Sequence, residues 1–185
     1  MNHLGADGNF AALGALCLRQ LWTTSNVNAV ALQTGVSEVA LTGNLRGKPA
    51  IIVHGRADGL IPVNHTSRPY FGTNKIVEGS ASRLSYIEVL NAQHFETFIP
   101  VVAGYDTRFI PMHYYDNQAL NLMWNHLRNG APLPPSQVVR PTPRGGTPGA
   151  APPITAANLP PIQLAPAGAD VINFSPASST VQIPN

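Results

Sequence analysis

Asp58 and His94 stand 36 residues apart, each a few residues beyond a short apolar run, and they are the pair of side chains in this chain best placed to do chemistry together. A carboxylate beside an imidazole fixes the ring tautomer and supports the imidazolium that forms when the other ring nitrogen takes a proton. That is the work of the acid and the base of a hydrolase triad. Each residue alone has a plainer reading: Asp58 before Gly59 suits a turn, and His94 suits a satisfied imidazole.

The elements that must position them follow from the hydrophobic pattern. Ala50-Ile-Ile-Val53 is a continuous apolar run without alternation, which predicts a strand buried on both faces of a parallel sheet, ended by Gly55. Asp58 then falls on the loop leaving that strand, before a helix opening near Pro62. A second strand is expected over 84–90, rich in Leu, Ile, Val and Tyr, with His94 four residues past its end. In open α/β sheets chemistry gathers at the carboxyl ends of the strands, so both side chains are expected on one rim. His54, at the end of the first strand, is placed to brace the acid loop. Arg56 is expected to make a local salt bridge, and His65 and Arg68 to be solvated on the following helix.

A nucleophile is harder to find. A strand-to-helix elbow reads Gly-x-Ser-x-Gly, whereas Gly35-Val-Ser-Glu-Val39 and Glu78-Gly-Ser-Ala-Ser82 lack its glycine pattern and follow no convincing strand. The chain order serine, acid, histidine puts a serine upstream of Asp58, where the first 46 residues show no alternation of strands and helices. The expectation is the carboxyl-terminal part of a larger hydrolase.

Several longer stretches carry a family resemblance: Asp7-Gly-Asn-Phe-Ala-Ala-Leu-Gly-Ala-Leu-Cys-Leu-Arg-Gln-Leu-Trp22, Gly47-Lys-Pro-Ala-Ile-Ile-Val-His-Gly-Arg-Ala-Asp58, Asn64-His-Thr-Ser-Arg-Pro-Tyr70 and Pro134-Pro-Ser-Gln-Val-Val-Arg140. Over most of its length the chain resembles the carboxyl-terminal part of the D-3-hydroxybutyrate oligomer hydrolases. The resemblance implies an α/β-hydrolase that cleaves short 3-hydroxybutyrate esters with a serine triad, downstream of polyhydroxybutyrate depolymerases. It also implies Asp58 and His94 as the charge-relay pair, a secreted protein, an ester substrate, no cofactor, and an amino-terminal part of the same hydrolase as the partner that carries the serine. The His-Gly-Arg-Ala-Asp element alone is shared by many esterases. Tannase and feruloyl-esterase-like hydrolases are the alternative enzymes, although those often carry cysteines where Ala57 and Phe95 flank the pair here. An orphaned, non-catalytic hydrolase half acting as an interaction module is the alternative of another class.

Composition separates a globular piece from a tail. Of eighteen prolines thirteen fall after residue 130, and from there only Arg140, Arg144 and Asp170 are charged. The expected division is 1–130, a core of α/β-hydrolase type, and 131–185, a Pro-rich segment that is either extended along the body or disordered, with Ile154, Leu159, Ile162, Leu164, Val171, Ile172 and Val181 available for docking. The net charge of +2 is thinly spread and Lys48 and Lys75 are the only lysines, which argues against nucleic acid as a partner. No run is long enough to span a membrane.

Three further expectations concern packing. A helix over the apolar stretch 10–18 should place Phe10, Leu13, Leu16, Cys17 and Leu21 near one face, with Cys17, the only cysteine, as a small buried hydrophobe. A last helix should be N-capped by Asp116, pack through Ala119, Leu120, Met123, Trp124 and Leu127, and stop at Gly130. The loop between, with Tyr105, Asp106, Arg108, Phe109, Met112, His113, Tyr114 and Tyr115, is placed either to line a substrate pocket or to cover the sheet edge. His3, His65, His113 and His126 have no spacing that would make a metal site.

Overall fold

The computed structural model describes residues 8–185, in two compact units that divide after Leu41. His3 and Asp7, and the side chain of Phe10, lie outside what is described. The first unit is a pair of helices, α1 (Gly8–Thr23) and α2 (Val27–Val39), which pack on each other. Asn26 caps α2, its side chain accepting from the backbone of Asn28 and Ala29 at 3.0 Å each. Cys17 on α1 is exposed, as are Leu13, Leu16 and Leu18, so the expected buried thiol is corrected.

The second unit is an α/β layer structure. Its elements are β1 (Ala50–Gly55), α3 (Ser67–Glu78), β2 (Leu84–Val89), the single turn α4 (Tyr105–Arg108), α5 (His113–Asn129), β3 (Gln137–Val139) and a hairpin of β4 (Asn173–Ser175) and β5 (Thr180–Gln182). β1, β2 and β3 form a parallel sheet in that order, with Ile52 opposite Tyr86 and His54 opposite Glu88. Alternation sorts the side chains to two faces. Ile51, Val53, Ile87 and Val89 pack with Tyr115 and Ala119 of α5, while Ala50, Ile52, Leu84 and Tyr86 pack with Phe71 of α3 and with Phe174 and Val181 of the hairpin.

β2 is buried along its whole length, as a central strand must be. β1 is not. Its side chains are half-buried, because among the described residues it has a neighbour on one side only. Both its faces are covered, Ile51 and Val53 on one side and Ala50 and Ile52 on the other, so only the degree of burial falls short of the expectation.

Several residues of the Pro-rich segment take part in the second unit. Gln137–Val139 is the third strand of the sheet, and Leu159, Ile162 and Ile172 are buried in the core. The chain's far end also returns to the sheet rim, where the Pro184 carbonyl accepts from Arg56 at 2.7 Å. The core therefore extends well beyond residue 130.

α5 begins at His113 with Met112 at its cap, so Asp116 lies inside the first turn and not at the N-cap. Gly130 stops it in the left-handed conformation (φ +68°), its amide bonded to the His126 carbonyl. The face that packs is carried by Tyr115 and Ala119. Leu120, Trp124 and Leu127, expected in the core, are 61–68% exposed.

Candidate active site

The two loops that carry Asp58 and His94 leave the adjacent parallel strands β1 and β2 on the same edge, and the backbone stitches them together. The Arg56 amide donates to the Val89 carbonyl at 2.8 Å and the Ala57 amide to the Ala92 carbonyl at 2.9 Å. Gly55 is what allows this approach, since a Cβ there would stand 2.5 Å from the Ala92 oxygen. Asn91, at φ +56°, turns the second loop, and its side chain donates to the Pro141 carbonyl at 2.9 Å.

On this platform His94 Nδ1 lies 2.9 Å from Asp58 Oδ2. The other oxygen, Oδ1, accepts the backbone N–H groups of Leu60 (2.9 Å) and Ile61 (2.7 Å), which locks the carboxylate plane. Burial pushes the Asp58 carboxyl up, but the Ile61 amide, His94 and the Leu60 amide together outweigh it, and the group is held below the ordinary carboxylate value. With Nδ1 engaged, His94 keeps Nε2 without a protein partner among the described residues. Phe95 packs edge-on against the His94 ring at 4.5 Å between centroids, and Phe98 packs on Phe95. A shallow cleft of about 570 Å³ opens beside the ring, lined by Glu96, Thr97, Pro100, Met112, His113 and Asp116.

The expected contact of acid and histidine is thus present, and His54 stands beside the acid, its Nε2 3.3 Å from Asp58 Oδ2 and its Nδ1 2.7 Å from Ser67 Oγ. Arg56 makes its salt bridge to Glu88. Arg68 is not solvated as expected, because its guanidinium pairs with the same buried Glu88 at 2.6–2.8 Å. His65 is exposed.

The aromatic loop divides its labour. Met112 and His113 line the cleft, Tyr115 is core, and Tyr105 and Phe109 stack on each other near Arg108. Asp106 receives the Gly149 and Ala151 amides and is therefore a loop-holding group. Ser37 lies within α2 and Ser80 in a helical turn after α3, so neither Gly35–Val39 nor Glu78–Ser82 is a strand-to-helix elbow. A cavity of about 960 Å³ lies at the opposite end of the sheet, around Leu84, Ser85 and Pro134, and takes no part in this arrangement.

What pattern reading of the sequence missed is the polar layer under the acid: Ser67, Tyr86 and Glu88. A signal was present, since Glu88 is the one charged residue of a mostly apolar strand and a carboxylate there requires partners. Among the described residues no group of three or more His, Cys, Asp or Glu side chains is arranged to hold a metal ion, and no helix is long and apolar enough to cross a membrane.

A parallel α/β sheet with a carboxylate–imidazole pair on the loops of adjacent strands is the class of protein this architecture defines. Comparison narrows the class: the sequence profile of the 3HB-oligomer hydrolase family matches residues 4–185, and the chain belongs to that family. It is 57% identical over 180 residues to the D-(-)-3-hydroxybutyrate oligomer hydrolase of Paraburkholderia xenovorans, covering 97% of this chain and 24% of the relative. It is 61% identical over 175 residues to that of Paracidovorax citrulli (93% and 24%) and 61% identical over 166 residues to that of Burkholderia vietnamiensis (90% and 23%). The chain thus spans about a quarter of the length of these relatives. No solved structure matches it.

Proposed function

We propose that this chain is the acid- and histidine-bearing part of a serine carboxylesterase of α/β-hydrolase fold that cleaves D-3-hydroxybutyrate oligomers to monomers. The observation that carries the reading is the 2.9 Å contact of His94 Nδ1 with Asp58 Oδ2, in a chain whose relatives bear the name of such a hydrolase. Residues 1–130 carry the acid and histidine loops of the catalytic body, the segment beyond residue 130 completes it through β3, the serine comes from the remaining length of the same protein, and that protein is secreted.

The chemistry then runs as ester acyl transfer. A serine oxygen attacks the ester carbonyl while His94 Nε2 takes its proton, and Asp58 stabilises the imidazolium. Collapse of the tetrahedral adduct breaks the ester C–O bond, and His94 returns the proton to the departing hydroxyl of the 3-hydroxybutyrate unit. Water then attacks the acyl group with His94 again as base, releasing the second acid and restoring the serine.

The experiment is an assay of the longer protein that carries this segment, on the dimer and trimer of D-3-hydroxybutyrate. Replacement of Asp58 by Asn should lower turnover by about four orders of magnitude while folding survives. Turnover of galloyl or feruloyl esters in place of the oligomers would overturn the substrate. Near-normal turnover by the Asp58→Asn protein would overturn the role of the acid.

A further inference from the structure

His54 is the last side chain of β1 before Gly55 and sits opposite Glu88 in the sheet register. Tyr86 and Glu88 project to the same face of β2, and α3 begins with Ser67 over them. These groups form one hydrogen-bonded row that starts beside the proposed acid and ends on a buried carboxylate.

Proton counting gives the row a direction. The Tyr86 hydroxyl donates to Glu88 Oε2 at 2.7 Å, and the Ser67 hydroxyl donates to Tyr86 Oη at 2.9 Å. Each hydroxyl has one proton, so both are committed. His54 Nδ1, 2.7 Å from Ser67 Oγ, must therefore be the donor of that contact. A ring with a single proton then has none on Nε2 to give to Asp58 Oδ2, and that contact is the longer one, 3.3 Å against 2.9 Å for His94. The terminus of the row is fixed as an anion: burial pushes the Glu88 carboxyl up, but Arg68, Tyr86 and Arg56 more than reverse this.

We propose that Ser67 and Tyr86 are positioning residues for Asp58: acting through His54, they keep its proton on Nδ1 and so leave His94 as the only side-chain donor to Asp58 Oδ2 among the described residues. With the proton on Nε2 instead, His54 would donate to the same oxygen and share its charge between two imidazoles, weakening the bond to His94. The row is thus a device for giving one carboxylate oxygen to one imidazole. The inference rests on reading Asp58 as the acid, but its test needs neither a nucleophile nor a substrate.

The test is a long-range proton–nitrogen correlation spectrum of the chain with ¹⁵N-labelled histidine, recorded near pH 8, well above the ordinary imidazole value of about 6.5. His54 should show a protonated Nδ1 and an unprotonated Nε2. In Tyr86→Phe the Ser67 hydroxyl is released to donate to Nδ1, and the His54 pattern should reverse. The low-field Nδ1–H resonance of His94 should then move upfield as its bond to Asp58 weakens. Ser67→Ala should do the same by removing the acceptor at Nδ1, which keeps the question decidable if the tyrosine variant fails to fold, while Ser67→Thr should restore the wild-type pattern. A wild-type His54 protonated on Nε2 would overturn the proposal, as would a reversal that leaves the His94 resonance unmoved. Failure of the longer protein to cleave hydroxybutyrate oligomers would alter neither spectrum, so the two readings fail separately.

Discussion

A Cβ built on Gly55 would stand 2.5 Å from the carbonyl oxygen of Ala92, and this one close approach brings the loop of Asp58 against the loop of His94. Only a residue without a side chain lets the two backbones meet, and the Ala57 amide uses the gap to bond the Ala92 carbonyl at 2.9 Å. The geometry of the pair is therefore set as much by a glycine as by the two ionisable groups.

Replacing Gly55 by Ala should force the loops apart. The expected cost is about 1–3 kcal/mol, the range of overpacked sites, since the obstruction is backbone and cannot rotate away. Urea unfolding followed by Trp fluorescence measures the stability, and the low-field Nδ1–H resonance of His94 reports the contact. Retention of that resonance at wild-type stability would show that the loops do not depend on this approach.

The lowered Asp58 carboxyl makes a signed pH prediction. A group whose folded-state value is depressed contributes stability that is fully present above its unfolded value, here 3.8, and is lost as pH falls through the folded-state value. Asp58→Asn should be less stable than the parent by about 1–2 kcal/mol at pH 7, the scale of lost charge-assisted bonds to backbone amides. The gap should hold down to about pH 5, where the unfolded chain also still keeps the group ionised, and narrow only below the ordinary carboxylate range. A gap that instead widened on acidification would mean that the carboxylate is held against its preference.

Both strands, the side-by-side acid and histidine loops and the Gly130 stop were legible because each depends on local pattern: apolar runs, a glycine, a short loop. The burial of α5 was not. Its stripe of Leu120, Trp124 and Leu127 obeys helical spacing, but spacing tells which residues share a face and not whether anything covers that face. β3 was not legible because three residues among prolines carry almost no periodic signal, and what recruits them is pairing with β2 across fifty residues of sequence. The row beneath the acid was hidden for the same reason: Ser67, Tyr86 and Glu88 meet only once α3 lies over the sheet.

Glu88 should be the most costly polar residue of the sheet to neutralise. Its side chain is fully buried and is shared by Arg56 and Arg68, each with about a quarter or less of its side chain exposed. Glu88→Gln leaves two guanidinium groups facing a neutral amide, and about 3 kcal/mol of stability should go, at the low end for a broken buried pair because both arginines keep some access to water. Denaturant titration measures it. A loss under about 0.5 kcal/mol, the scale of an unremarkable surface change, would mean that the arginines relax into solvent and that Glu88 anchors nothing.

The exposed face of α5 predicts how the 185-residue chain behaves in solution. Leu120, Trp124 and Leu127 stand out from the helix, and Leu120 borders a groove of about 330 Å³ with Ile51 and Val53 of β1, whose outer edge pairs with no strand among the described residues. An apolar face beside an unpaired parallel edge is a template for association, so the chain should self-associate as concentration rises. Leu120→Lys with Trp124→Glu should suppress this, while changing unfolding free energy by no more than about 0.5 kcal/mol, because both side chains are already in water. Sedimentation velocity across a concentration series reads the first effect and urea unfolding of the dilute chain the second. Unchanged association in the double variant would place the adhesive surface elsewhere, whereas a large loss of stability would mean that these side chains are packed against the body.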